Sequence, residues 1–255
     1  MKKLESYIAK MNDRVNKVIS PKDEMFNYIR TRMPNEESTQ SYYFDTGREL
    51  AVNLLKYFMD VALQPEKLDF LDFAAGYGRV TRWLAPAFGS VTAADLEQEM
   101  IDFQRREYGV NGFVSGDSPQ SLETHVKNYD VVFIFSLFTH LPDHTWRAWL
   151  RSLAALVRPG GYLIFSAHSY ELFAQLNPAK FGDPDKWIDD FLFWETNETN
   201  GRLETSVYGC NIVKESYVRM AVDEVPGFEL VRRFKKGEFD RYHDIYVIRN
   251  TGGVQ

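Results

Sequence analysis

Apolar residues at the start of the chain return at helical spacing: Leu4, Tyr7, Ile8, Met11, Val15, Val18 and Ile19. Side chains that recur with that period share one face, so an amphipathic N-terminal helix is expected. Ser20-Pro21, followed by Asp23 and Glu24, reads as a cap and a helix restart with proline at the first helical position. A polar stretch over residues 34–41 then separates this lead-in from Tyr42-Tyr43-Phe44, and a helix over 47–60 is expected next.

From Leu68 onward the texture changes. Short apolar runs at 68–73, 91–94, 112–115, 131–135 and 162–167 predict strands, with helices expected at 80–88, 99–108 and 145–156. Strand–helix alternation implies crossover connections, hence an α/β fold with a mostly parallel sheet. Val131-Val132-Phe133-Ile134-Phe135 is apolar on both faces, as a central parallel strand requires. The alternation stops after Ala167. Phe173, Phe181, Trp187, Phe191, Phe193 and Trp194 are interleaved with acidic residues over 170–201, which reads as an insertion followed by an extra strand at 203–208. A helix over 215–223 leads into strands at 228–234 and 244–249. Gly237 and Asp240 supply turn chemistry between these two, predicting an antiparallel hairpin.

The composition narrows the choice of partner. Thirty Lys and Arg against thirty-six Asp and Glu leave a net charge of -6, with no general attraction to phosphate backbones, so nucleic acid is not expected. Cys210 is the sole cysteine, which rules out an intrachain disulfide and a cysteine-built zinc site. Without an apolar run of membrane-spanning length or a secretory leader pattern, the expected location is the cytoplasm. Neither an HExxH pattern nor dense His/Asp spacing occurs, so no metal site is assigned.

The most informative run is Leu71-Asp72-Phe73-Ala74-Ala75-Gly76-Tyr77-Gly78-Arg79, a strand pattern that opens a helix. Small residues there let the backbone turn tightly and approach a ligand. A dinucleotide G-x-G-x-x-G fingerprint fails in both registers: Arg79 or Thr81 stands where the third glycine belongs. Asp72 lies where a diphosphate would sit. A carboxylate repels that group but suits an ammonium, so charge favours S-adenosyl-L-methionine over a nicotinamide dinucleotide. Asp95 ends the next strand about 20 residues on, the spacing of a ribose-binding acid. Leu96 follows it. Gly116-Asp117-Ser118 closes the third strand, where Asp117 can accept from an adenine amino group, and Ser136-Leu137-Phe138-Thr139-His140-Leu141 follows the central strand. Carboxyl ends of parallel strands are where open α/β sheets bind ligands.

Residues 68–169 resemble a class I S-adenosylmethionine-dependent methyltransferase of the small-molecule type. The likeness rests on residues 72–78, Asp95, Gly116-Asp117 and Leu156-Val157-Arg158-Pro159-Gly160-Gly161. Phe138-Thr139-His140-Leu141 and His243-Asp244-Ile245-Tyr246-Val247 add to it. Ala74 stands where the family has its first glycine. The resemblance implies a Rossmann-like, mostly parallel seven-stranded sheet with the C-terminal hairpin. Residues 1–45 would form a helical lid and 46–255 the methyltransferase domain, with a substrate cap at 170–208. The expected cofactor set is Tyr43, Asp72, Ala74, Ala75, Gly76, Gly78, Asp95, Leu96, Asp117, Ser118, Ser136 and Leu137. His140, His168 and Tyr43 are candidates to take a proton from the acceptor, with Tyr208 behind them; His140 can equally line the pocket or anchor its loop. The expected partner is a small-molecule acceptor methylated at oxygen or nitrogen. A protein or carrier-bound acceptor, a non-catalytic cofactor-binding module and a nucleotide-dependent oxidoreductase are the alternatives.

Overall fold

A computed structural model describes residues 2–125, 127–171, 190–196 and 203–252. The chain divides into two compact units, residues 1–116 and 117–255. Among the described residues no helix is long and apolar enough to cross a membrane.

The first unit begins with α1 (Lys2–Arg14), α2 (Glu24–Arg30) and α3 (Glu36–Asp60). The cap before α2 is Asp23, whose carboxylate accepts from the Phe26 amide at 2.9 Å. Pro21 therefore lies before the cap, not at the first helical position as expected. Helix α3 starts eleven residues before the expected Gly47. Asn35 caps it by accepting from the Ser38 amide at 2.8 Å, and Glu36 and Glu37 favour its positive end. The polar stretch is thus the solvent side of a helix whose Thr39 and Tyr43 are buried. Gly47 is inside that helix for a packing reason: a Cβ there would stand 2.3 Å from the Arg79 carbonyl oxygen.

Strands β1 (Asp69–Phe73), β2 (Ser90–Asp95) and β3 (Asn111–Val114) run parallel, β2 between the others, with Phe73 opposite Ala94 and Asp95 opposite Val114. Between them lie α4 (Thr81–Leu84) and α5 (Gln98–Tyr108). Helix α4 is shorter than expected because Pro86 cannot continue it. Leu50, Leu54 and Phe58 of α3 are buried, and the Phe58 ring meets Phe70 and Phe88 at centroid distances of 6.5 and 5.8 Å.

In the second unit, β4 (Tyr129–Ile134) is buried along its whole length and pairs parallel with β5 (Val157–His168), with α6 (Asp143–Ala154) between them in sequence. Strand β9 (His243–Asn250) runs antiparallel to β5 and to β8 (Phe228–Phe234), which follows α7 (Glu215–Asp223). The hairpin is as expected. The fold is α/β and Rossmann-like, with a mostly parallel seven-stranded sheet.

A separate ribbon pairs β6 (Phe191–Trp194) with β7 (Cys210–Val213). The strand expected at 203–208 is not there. Glu204 accepts from the amides of Val207 and Tyr208 at 3.0 Å, closing a turn, and the strand begins only after Gly209. A Cβ at Gly209 would meet the Trp194 carbonyl at 2.4 Å, so the close approach that glycine permits sets where pairing starts. Phe173, Phe181 and Trp187 of the expected cap lie outside the described residues.

Candidate functional site

In the first unit β1 runs into a tight loop. Ala74, Gly76 and Gly78 have φ of +59°, +56° and +77°. Left-handed backbone is natural for glycine and costs alanine about 1–2 kcal/mol, so Ala74 holds strain where the family has glycine. The loop is fastened on every side. The Ala75 amide donates to the Ala94 carbonyl at 3.1 Å, while Gln104 holds the Gly76 carbonyl at 2.8 Å, Tyr108 that of Tyr77 at 3.1 Å, and Arg82 that of Gly78 at 3.0 Å. Asp95, at the end of β2, accepts from the amides of Gly76 and Leu96, both at 2.7 Å. One carboxylate thus orders two loops.

The two glycines do different jobs. A Cβ on Gly76 would meet nothing within 4 Å, so that face of the loop is open. On Gly78 it would stand 2.5 Å from the Tyr108 ring and 2.9 Å from Gln104. Gly78 is needed for internal packing; Gly76 leaves room for a guest.

Asp72 is buried and accepts from the Thr81 hydroxyl at 2.6 Å. Burial, and secondarily the charge of Asp95, push its carboxyl up to about 7, against the pull of Thr81 and Arg79. It therefore titrates near neutrality instead of standing as a fixed negative charge. Tyr43 is fully buried against Phe26 and Ile29. Its hydroxyl donates to Asp23 at 2.5 Å and accepts from Arg82 at 3.2 Å, and burial holds the phenol well above its ordinary pKa. Instead of opening to a ligand, as expected for a catalytic or cofactor group, Tyr43 is an internal anchor.

The remaining candidates belong to the second unit. Asp117 is exposed, and Ser118 precedes a 3-10 turn over Pro119–Leu122. Ser136, beyond β4, takes a φ of +76° while its amide donates to the Ser166 hydroxyl at 2.7 Å; Ser136 and Leu137 are half-buried. Residues 138–141 are pinned by β7: Asn211 donates to the carbonyls of Phe138 and Leu141 at 2.8 and 2.7 Å, and the Gly209 amide to that of His140 at 2.9 Å.

Three imidazoles meet here. His140 stacks on Tyr208 with centroids 4.6 Å apart and meets His168 edge-on at 6.2 Å; His168 stacks on His243 at 5.2 Å. Nδ1 of His140 bonds the Gly209 carbonyl at 2.7 Å and Nδ1 of His168 the Asn211 carbonyl at 2.8 Å. A carbonyl only accepts, so each Nδ1 carries the proton and each Nε2 the lone pair. Burial pushes His140 down to about 4, against the Gly209 bond; it pushes His168 down to about 3, with His243 assisting. His243 bonds Asp240 at 2.6 Å. Its place in β9, opposite His168, brings it here. In the sequence His243 carried only a family likeness and Asp240 only turn chemistry, while Asn211, Gln104 and Arg82 gave no signal, because partners such as Phe138, Gly76 and Tyr43 are remote in the chain. Among the described residues no group of three His, Cys, Asp or Glu is arranged to hold a metal.

Residues 70–161 match a family model described as "Methyltransferase domain". A ubiquinone biosynthesis O-methyltransferase of Hydrogenovibrio crunogenus is 29% identical over 122 residues, 46% of this chain and 48% of that protein. N-terminal Xaa-Pro-Lys N-methyltransferase 1 of Danio rerio is 34% identical over 101 residues, 37% and 44% of the two chains. The matches thus span about half the length of these relatives. Among solved structures, magnesium protoporphyrin IX methyltransferase from Synechocystis PCC 6803, with bound SAH, superposes with a TM-score of 0.58 at 16% identity, covering 88% of this chain and 94% of that one. Residues 70–161 thus resemble a methyltransferase domain, and the Rossmann-like sheet shares its fold with a methyltransferase solved with bound SAH.

Proposed function

We propose that the protein transfers a methyl group from S-adenosylmethionine to oxygen or nitrogen of a small-molecule acceptor. The open face of Gly76, above a loop tied to Asp95, is the observation that carries this reading. The residues fit the cofactor: Asp95 offers oxygens to ribose hydroxyls and Leu96 an apolar neighbour for adenine. Residues 74–78 with Asp72 serve the amino-acid end. When bound, S-adenosylmethionine supplies a methyl already activated on a sulfonium.

The chain's own task is alignment and proton removal. Alignment alone can contribute about 7–11 kcal/mol. An attacking hydroxyl or amine gives up its proton to Nε2 of a neutral imidazole. His168 is half-buried whereas His140 and His243 are buried, so it takes that role ahead of His140, which anchors residues 138–141. Residues 170–208 would govern acceptor choice, with half-buried Phe191, Phe193 and Trp194 among its described residues. The name of the zebrafish relative favours a second reading, a protein amine acceptor.

Incubation with S-adenosylmethionine and a panel of phenols, small amines and a peptide beginning Xaa-Pro-Lys tests the proposal by S-adenosylhomocysteine release. Turnover with a phenol or small amine supports it. Turnover with the peptide alone moves the acceptor to protein, and binding without turnover on any acceptor would leave a cofactor-holding module.

A further inference from the structure

Arg82 is a cation only 1% exposed in the first unit. Burying a charge is costly unless its hydrogen bonds are met, and every branch of this guanidinium is engaged. Nε donates to the Gly78 carbonyl at 3.0 Å; Nη1 donates to the carbonyls of Val18 and Asn16 at 3.0 and 3.4 Å; Nη2 donates to the Tyr43 hydroxyl at 3.2 Å. Tyr43 passes the link to Asp23, which caps α2. Rings of Tyr43, Phe44 and Tyr108 surround the cation at 5.2–5.3 Å. Only a planar fork reaches carbonyls on two sides at once, which lysine cannot do.

Those two sides are the glycine loop and the connection between α1 and α2. That connection is a strap that packs through Ile19 against the cluster of Phe26, Ile29 and Tyr43 and is tied by hydrogen bonds. Its further ties include Asn16 donating to the Glu107 carbonyl at 2.9 Å, Asn27 donating to the Pro21 carbonyl at 3.0 Å, and an exposed Lys22–Glu99 ion pair, a kind of contact worth little. Beneath residues 18–22, toward Tyr77 and Phe103, lies a cavity of about 630 Å³.

We infer that Arg82 is a positioning residue that locks the strap at residues 16–22 to the glycine loop, so that filling the loop and ordering the strap are one event. This rests on the reading of residues 74–78 as the cofactor loop. Coupling is reciprocal: a ligand that steadies the loop slows opening of the strap, and a loosened strap weakens the ligand.

Trypsin reports on the strap, because Lys17 is exposed within it. Cleavage after Lys17 is timed with and without saturating S-adenosylhomocysteine, and calorimetry gives the ligand's Kd. Wild type should show roughly fivefold or greater protection. In Arg82→Lys, protection should vanish and Kd rise roughly tenfold. Tyr43→Phe removes only the hydroxyl between Arg82 and Asp23; it should lose part of the protection and decides the matter if Arg82→Lys does not fold. General destabilisation speeds both digestions and leaves their ratio unchanged. A wild-type ratio and Kd in a folded Arg82→Lys, or an unchanged ratio in Tyr43→Phe when that variant alone folds, would overturn the coupling. So would ligand heat without protection in the wild type. No heat at all would instead remove the cofactor reading beneath it.

Discussion

The glycine loop of the first unit and the histidine cluster of the second are built on opposite plans. The loop is contiguous: residues 72–78 contain its turns, its open face at Gly76 and its buried acid, and Asp95 completes it from the next strand end. The cluster is assembled from a loop after β4, the end of β5, the start of β9 and the residues that lead into β7. Chemistry that holds a common cofactor can be local, whereas chemistry directed at a particular acceptor draws on segments far apart in the chain. The first plan can be read from a short string. The second cannot.

The sharpest way to break the comparison is at the two glycines. Gly76→Val places a side chain in open space at a φ that favours glycine and should abolish S-adenosylhomocysteine binding in calorimetry, with a stability loss of about 1–2 kcal/mol. Gly78→Ala drives a methyl into Tyr108 and Gln104, so a melt should show overpacking of about 1–3 kcal/mol on top of the backbone strain. If Gly76→Val binds ligand normally, the loop's open face is not the cofactor's approach.

In the cluster, His168→Asn should lower turnover by roughly 10²-fold or more with cofactor affinity intact, and His140→Asn should lower it less while costing stability. Both imidazoles are held below their ordinary pKa, at about 4 and about 3. The folded protein therefore refuses protons that the unfolded chain takes near 6.5. Their stabilising contribution is present above that pH and drains away as pH falls toward 4. Turnover governed by His168 should show no inflection near 6.5 and should fall only well into acid. Equal turnover in the two variants and the wild type would reduce catalysis to alignment.

Asp72 bears on the loop with the opposite sign. Its folded pKa is raised to about 7 from 3.8, so its contribution is full below 3.8 and lost as pH climbs through 7. Asp72→Asn keeps an acceptor for Thr81 and removes the titration. In melts it should gain on wild type by up to a few kcal/mol between pH 5 and 8. A constant difference across that range would mean that the carboxyl is ionised throughout.

Legibility followed the same divide. Strand–helix alternation located β1, β2, β4 and the inner half of β5 because each is a short apolar run, and turn residues marked the β8–β9 hairpin. The start of α3 was hidden because Gly47 reads as a break, although its purpose is to admit the Arg79 carbonyl. Leu203 to Tyr208 alternates like a strand, yet a turn closed by Glu204 occupies it. Arg82 reaches Tyr43, 39 positions away, and Asn211 reaches Phe138, 73 positions away, while His243 pairs with His168 across two strands, and a linear pattern carries no mark of such partners.

The central claim is that a carboxylate at the end of β2 holds the cofactor as well as the loop. Calorimetry of S-adenosylhomocysteine with wild type and Asp95→Ala tests it directly. Loss of a charge-assisted bond predicts binding weaker by about 1.5–3 kcal/mol, roughly 10- to 150-fold in Kd, in a protein that still folds. An unchanged Kd in the folded variant would show that Asp95 serves the loop alone and that the ligand is held elsewhere.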